Sequence, residues 1–238
     1  MILKNAFFGV LTMKVLWLGH AAFILTIKDT RILIDPFISG NSMAPVKVSE
    51  IKNIDYILVT HGHADHLGDT KAIALATGAK IITSFDLGSK LTEEEGGLNV
   101  IGMNIGGTYI HDNIRITMVH SFHVTEPSPS TGFIIKSDEG CVYHAGDTGL
   151  FGDMKLFGRV FGIDVAILPI GGYFTMDIPQ AVEAVKLINP KIAIPMHYNT
   201  FPVIEADPYI FKKIVEEETD TMVIVLKPGE EKEIILEK

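Results

Sequence analysis

A single cysteine, Cys141, stands in 238 residues, which excludes an intramolecular disulfide. It falls in an apolar strand, so a buried, inert thiol is the expectation, and a reducing cytoplasm fits. Positive charge is also scarce: 20 Lys and Arg face 29 Asp and Glu, for a net charge of −9. No Lys/Arg cluster offsets this, so the chain lacks the electrostatic footprint of a nucleic-acid or anionic-membrane binder. The longest apolar runs, residues 6–11 and 165–170, fall far short of the ~20 residues that span a bilayer. Residues 1–12 carry an apolar stretch after Lys4 with no small-residue cleavage site behind it, and read as an added strand or extension. Met13-Lys14-Val15 resembles a second start, so residues 1–12 are expected to be dispensable. Charged residues make up only 21%, against disorder, and no linker or low-complexity segment divides the chain. One domain over residues 1–238 is therefore expected.

What is present is apolar and patterned. Hydrophobic residues reach 47% and mean hydropathy is +0.30, enough to bury a sizeable core. Strands are expected at 14–18, 23–27 and 31–34, closely spaced as in antiparallel hairpins. A buried strand at 56–60, a helix at 66–76 and a strand at 80–83 follow. Glu93-Glu94-Glu95 reads as a solvated helix end. Short strands at 100–103, 109–111 and 114–119 precede a hairpin of 132–137 and 141–144 around Asp138-Glu139-Gly140. The last third alternates: strand 164–169, then a helix capped by Asp177 with Pro179 in its first turn and Gln180 three residues after the cap. That helix ends near Asn189-Pro190. A strand at 192–196, a helix at 208–218 and strands at 222–226 and 233–236 complete the chain. Each half sets a β meander before βα units, which two face-to-face sheets with helices outside would satisfy.

The chemistry centres on His61-Gly62-His63-Ala64-Asp65-His66, three imidazoles and a carboxylate directly after an apolar strand. Such donors suit zinc, manganese, iron or cobalt. Other ligand-type residues each follow a strand of their own: His120 after 114–119, Asp147 in the turn Ala145-Gly146-Asp147-Thr148-Gly149, and His197 after 192–196. Strand-end loops converge on one edge of an α/β fold. His61, His63 and His120 are expected to hold one metal, and Asp65, His66 and His197 a second. Asp147 can give one oxygen to each, because a carboxylate bridges two cations where an imidazole cannot. A water shared by two cations about 3.5 Å apart is hydroxide at neutral pH and serves as nucleophile. No Gly-x-Ser-x-Gly elbow supplies a protein nucleophile instead. His123 competes with His120 for the third position. His120 is preferred because it lies at the expected strand end, with His123 facing the cavity or lining a loop.

The sequence His-x-His-x-Asp-His, then His-Ser, Gly-Asp-Thr and a late His resembles the metallo-β-lactamase superfamily from Met13 onward. Trp17-Leu18-Gly19-His20, Ile34-Asp35-Pro36-Phe37, Tyr143-His144-Ala145-Gly146-Asp147-Thr148, Leu168-Pro169-Ile170-Gly171-Gly172 and Pro195-Met196-His197-Tyr198-Asn199-Thr200 are similar to the UlaG-like metal-dependent hydrolases. The resemblance implies an αββα sandwich with a dinuclear metal site at one edge. The namesake of that branch is a lactonase acting on a phosphorylated sugar acid. Ser121-Phe122-His123 departs from the short Ser/Gly sequence expected after the third-motif histidine.

Supporting roles are assigned by position. Asp35 is expected to accept a hydrogen bond from a ligand imidazole and fix its tautomer. His20, on the loop between the first two strands, is a candidate proton donor to the leaving group or a satisfied structural histidine. His144 has a core or ligand-supporting role. Backbone N–H groups at Gly171, Gly172 and Thr175 could hold an anionic group, and Tyr198 and Asn199 could line the pocket. The loop 125–130 walls the site or is plain surface, Met154 and Met176 pack, and apolar loops around Phe37 and Phe151 could pair subunits into a homo-oligomer. The resulting expectation is a dinuclear hydrolase of a small ester, lactone or phosphodiester, with two divalent ions, zinc first and manganese or iron the alternatives. A nuclease of the same superfamily is the alternative, set against by the acidic charge and the lack of an RNA-binding arm. No flavin domain supports oxygen reduction, and too few residues follow His197 for a thioester hydrolase's helical region. A non-catalytic scaffold would be expected to have lost ligands.

Overall fold

The computed structural model describes residues 11–236. Fourteen strands form two seven-stranded sheets. In the first half, β1 (Leu11–Trp17), β2 (Phe23–Ile27) and β3 (Thr30–Ile34) form an antiparallel meander. β4 (Tyr56–Leu58), β5 (Lys80–Ser84) and β6 (Asn99–Met103) then add in parallel. Between them run α1 (Ala64–Leu67), α2 (Thr70–Thr77) and α3 (Phe85–Glu94). The second half repeats the plan. β7 (Thr108–His111), β8 (Ile114–His120), β9 (Thr131–Ser137) and β10 (Gly140–His144) are antiparallel neighbours. β11 (Val165–Pro169), β12 (Ile192–Met196) and β13 (Met222–Val223) continue in parallel. Their crossovers are α4 (Met154–Phe161), α5 (Ile178–Ile188) and α6 (Pro208–Glu218). β14 (Glu231–Leu236) closes back onto β1 at the edge of the first sheet.

Period-two alternation assigns the faces. Phe23, Leu25 and Ile27 of β2, Ile32 and Ile34 of β3, and Tyr56 and Leu58 of β4 join one large core with the second sheet. Ile24, Leu33 and Ile57, the residues between them, join a second core that includes Ile73 and Ala74 of α2 and Leu87 and Leu91 of α3. Both faces of these strands are thus apolar, as a helix-covered parallel sheet requires.

The expected helix at 66–76 is two helices. Gly68 separates them at φ +42, a conformation that disfavours side chains, and a Cβ there would lie 2.3 Å from the Pro36 carbonyl. The cap on α5 is as read: the Asp177 carboxylate accepts from the Gln180 N–H at 3.0 Å. The N-terminal segment divides. Residues 1–10 lie outside the described residues, but Leu11 and Thr12 belong to β1 and pair with Leu236 and Ile235, so these two are not spare. Cys141 is buried and burial pushes its thiol up to about 12, so it is unreactive. No helix among the described residues is long and apolar enough to cross a membrane.

Candidate metal centre

Six strands deliver the site at their C-terminal ends. β3 is followed by Asp35, β4 by Thr60 and the His61–His66 turn, β8 by the segment to His123, β10 by Asp147, β11 by the 171–177 loop, and β12 by His197. The backbone is bent to do this. His20, Asp35, Tyr173, His197 and Asn199 all have φ between +44 and +59, a left-handed conformation that costs a non-glycine residue roughly 1–3 kcal/mol and gathers at functional sites.

Asp35 is the hub. It is fully buried. Its Oδ1 accepts from the Thr60 N–H at 2.8 Å, and its Oδ2 accepts from the Thr60 hydroxyl at 2.7 Å and from His66 Nδ1 at 2.7 Å. Thr60 has then spent its only hydroxyl proton, so His61 Nδ1, 3.0 Å away, donates to the Thr60 oxygen. One carboxylate thereby fixes the tautomer of two imidazoles, leaving Nε2 of His61 and His66 bare. Thr60 has no place in the sequence reading. Its position directly before His61 at a strand end was the available signal.

The bare nitrogens converge. His66 Nε2 lies 3.2 Å from Asp147 Oδ1, and His197 Nε2 lies 3.2 Å from Asp147 Oδ2. His61 Nε2 is 3.0 Å and His123 Nε2 3.2 Å from His63 Nδ1, while His123 Nε2 is also 3.7 Å from Asp147 Oδ2. These separations are near the roughly 3.3 Å edge of a tetrahedron whose donors sit about 2.0–2.1 Å from a central ion. Hydrogen bonds account for those at His63 Nδ1 but not for the contacts of His66 and His197 with Asp147. His66 Nε2, Asp147 Oδ1 and both ring nitrogens of His197 are buried without a hydrogen-bond partner, an arrangement that costs about 1–3 kcal/mol per group. A cation would satisfy these orphaned atoms together. Three overlapping donor groups fit one: His61, His63 and His123; His61, His66 and Asp147; and His20, Asp65, His66 and His197.

Electrostatics ask for the same thing. Burial alone would raise Asp147, but the fields of His66 and His197 outweigh it and hold the carboxyl well below the usual range. His66 is opposed by burial yet lifted well above the ordinary value by Asp147 and Asp35, so its Nε2 draws a proton unless a cation takes that place. Burial, with the charge of His66 added, pushes His61 down to about 2, which keeps its Nε2 free to bind.

His123, and not His120, faces the cluster. β8 runs one residue further than expected, so His120 is still paired with Thr131 in the ladder. Its ring lies among Phe122, Phe151 and Phe157, with Nε2 3.5 Å from Asp153. The chain then turns. The Ser121 hydroxyl donates to the Ala145 carbonyl at 2.7 Å, and the Phe122 N–H donates to the Thr148 hydroxyl at 3.0 Å. Pinned to the Asp147 loop in this way, the turn brings the His123 ring centroid 5.0 Å from that of His63. His123→Ala is accordingly expected to weaken metal binding by at least about the 10–100-fold that losing a ligand's support costs, while His120→Ala leaves it unchanged. Metal titration of both variants checks this, and the reverse pattern would restore His120.

The remaining candidates divide. Asp65 joins the cluster and is held below its ordinary range: burial would raise it, but the His20 hydrogen bond at 3.2 Å and the charge of His66 prevail. His20 has no exposed side-chain surface, is pushed down to about 4 chiefly by burial, and is held on its other nitrogen by Thr200 at 2.9 Å. It orients Asp65 and does not reach the mouth as a proton donor. His144 donates from Nε2 to the Ala21 carbonyl at 3.0 Å and accepts the Gly146 N–H at 3.3 Å, a buried neutral tie between loops. Gly171 is required for packing, since a Cβ would meet the His197 carbonyl at 2.3 Å. Of the anticipated anion cradle of Gly171, Gly172 and Thr175, the Gly172 N–H is spent on the Met176 carbonyl and the Thr175 N–H on the Gly172 carbonyl. Asn199 spends its side chain on the Ala206 N–H at 2.9 Å and lines a separate surface hollow with Glu205 and Tyr209, and Tyr198 is buried against Trp17, so neither faces the cluster. The 125–130 loop does wall the site, its Glu126 carbonyl lying against Gly62. Met154 and Met176 are fully packed, and Phe151, buried beside His120, is not a surface for pairing subunits.

Two mixed sheets with helices outside, and a histidine–carboxylate cluster at the strand ends, define a metallo-β-lactamase fold built for metal. The family described as "Beta-lactamase superfamily domain" matches residues 30–198. The chain is 50% identical over 216 residues to a UPF0173 metal-dependent hydrolase of Caldivirga maquilingensis, covering 90% of this chain and 95% of that one. It is 48% identical over 227 residues to one from Pyrococcus furiosus, covering 93% and 99%. Among solved structures, Igni18, a metallo hydrolase of Ignicoccus hospitalis, superposes with a TM-score of 0.88 at 40% identity, covering 94% of this chain and 98% of that one. The chain belongs to the UPF0173 metal-dependent hydrolases of the metallo-β-lactamase superfamily.

Proposed function

We propose that the chain is a dinuclear hydrolase of a small ester, lactone or phosphodiester. The observation that carries this is Asp147, which reaches both histidine sets: His66 and His197 of one at 3.2 Å, and His123 of the other at 3.7 Å. One ion would be held by His61, His63 and His123, a second by Asp65, His66 and His197, with Asp147 between them. Bound divalent ions supply a water acidic enough to ionise near neutral pH and a Lewis acid for the attacked oxygen. The chain's own part is orientation. Asp35 and Thr60 aim His61 and His66, and His20 aims Asp65. His63 is exposed and His123 half-buried while His66 and His197 are buried, so substrate enters from the His63–His123 side. Zinc, manganese and iron all suit this donor set.

Metal per chain, measured by inductively coupled plasma mass spectrometry on protein purified without chelator, is expected near two equivalents. One equivalent that stays at one after reconstitution would overturn the dinuclear reading. No metal after reconstitution would overturn the hydrolase. The superfamily's nucleases are disfavoured by the net charge of −9, since phosphate-backbone binding draws its affinity from Lys and Arg.

A further inference from the structure

The loops that meet at the site hold none of the chain's 20 Lys and Arg residues. Residues 19–21, 35–46, 60–70, 120–131, 145–154, 170–177 and 197–211 contain neither type. Every ion pair that reaches the cluster is between a histidine and a carboxylate among the described residues. Acidic groups do stand there, Glu126 on the loop against Gly62 and Asp153 beside His120. The N–H groups of Gly172, Phe174 and Thr175 are already bonded. A substrate carrying a phosphate or carboxylate away from its scissile bond would therefore find no Lys or Arg on these loops to pair with, and an unpaired charge taken out of water is costly.

What the loops offer is aromatic surface. Tyr173 and Phe174, on the loop locked between His197 and the Asp147 turn, are 80% and 50% exposed. Their rings meet edge to face at 4.8 Å. The Met176 N–H donates to the Thr148 carbonyl at 2.9 Å, which ties the loop carrying this aromatic pair to the Asp147 turn. Tyr173 stands at φ +58, a strained conformation kept on an aromatic that is mostly exposed. Across the cluster, half-buried Phe37 and Phe201 bracket His20 at 5.7 and 5.5 Å. Exposed aromatics beside a reactive centre are where an apolar group gains most by leaving water.

We infer that the site takes an uncharged ester or lactone whose apolar acyl group lies on Tyr173 and Phe174. This rests on the hydrolase reading above and narrows it. It also separates the chain from a phosphorylated sugar-acid substrate.

The test compares 4-nitrophenyl valerate with mono-4-nitrophenyl glutarate, which share leaving group and acyl length and differ by one distal carboxylate. The metal-loaded wild type and the double variant Tyr173→Ala/Phe174→Ala are assayed, and saturation-transfer NMR follows the unreactive amide valeranilide on both. The expected result is a kcat/KM at least about tenfold higher for the valerate, the scale on which pockets discriminate. The variant loses that preference through KM, and valeranilide saturation seen on the wild type disappears. Equal or faster glutarate hydrolysis, or valeranilide contacts unchanged in the variant, overturns the inference and leaves the hydrolase standing. Valeranilide binding that the variant abolishes, with neither ester hydrolysed, upholds the apolar subsite and overturns the hydrolase. Neither binding nor hydrolysis overturns both.

Discussion

Asp147→Ala is expected to abolish hydrolysis, on the order of 10³-fold or more in kcat, the scale measured when a member of a catalytic unit is removed, with the fold largely kept. Among the described residues, Asp147 is the only carboxylate that touches both halves of the cluster, with contacts of 3.2 Å to His66 and His197 and 3.7 Å to His123. Removing it leaves three imidazoles facing one another without a counter-charge. Bound metal should fall with activity, since two cations brought close repel unless a carboxylate sits between them. Asp147→Asn separates charge from shape. It keeps the side-chain volume but offers one neutral oxygen in place of two sharing a negative charge. It is expected to resemble the alanine variant in metal content and activity, and the wild type in circular dichroism. Retained hydrolysis in either variant, with metal verified as bound, would sink the bridging role.

How much of this was legible in the sequence depends on which physical rule each element obeys. β2 and β12 matched their expected bounds because strict apolar patterning flanked by turns leaves little freedom. α6 began at Pro208 because Asp207 caps it, accepting the Tyr209 N–H at 2.9 Å. α4 was not read as a helix, and of α3 only the end at Glu93-Glu94-Glu95 was. α3 buries only Leu87, Gly88 and Leu91, a stripe too thin to announce a period. α4 carries Gly158 in its middle, which suggests a loop until the structure shows the helix lying against the Ile188 carbonyl.

The same division runs through the site. Asp35, His61, His63, Asp65, His66, Asp147 and His197 were found because each follows a strand, a local signal. His120 was chosen by that rule and the rule failed by one residue, since the ladder to Thr131 extends the strand through it. What puts His123 in place is a pair of long-range hydrogen bonds, from Ser121 to Ala145 and from Phe122 to Thr148, and sequence neighbours do not reveal those. Tyr198 and Asn199 were misplaced for a related reason. Positive φ at His197 and Asn199 folds the chain back after the ligand, burying Tyr198 and closing Asn199 on its own loop. Only glycine advertises such backbone in advance.

Asp35→Asn is expected to strip metal from the site although Asp35 lies behind both histidines. Asp35 accepts three hydrogen bonds and donates none. An asparagine keeping its oxygen toward the Thr60 N–H would turn its amide protons toward the Thr60 hydroxyl and His66 Nδ1–H, so donors would face donors. The cheapest relief is a tautomer change in His66, moving its proton to Nε2 and closing off the nitrogen that faces Asp147. Thr60, freed of Asp35, could then reorient and release His61 as well. Loss of such support typically costs 10–100-fold in metal affinity, and a buried unmatched donor costs about 1–3 kcal/mol of stability. Asp35→Ala removes the charge and the shape together, and leaves a cavity and unpaired donors beside it. Breaking a buried pair in this way costs about 3–5 kcal/mol, so this variant is expected to melt well below the asparagine one. Metal titration with thermal melting distinguishes the two roles. A normal melting temperature with weakened metal in Asp35→Asn would assign Asp35 to tautomer control, and full metal binding in that variant would refute the relay through Thr60 and His66.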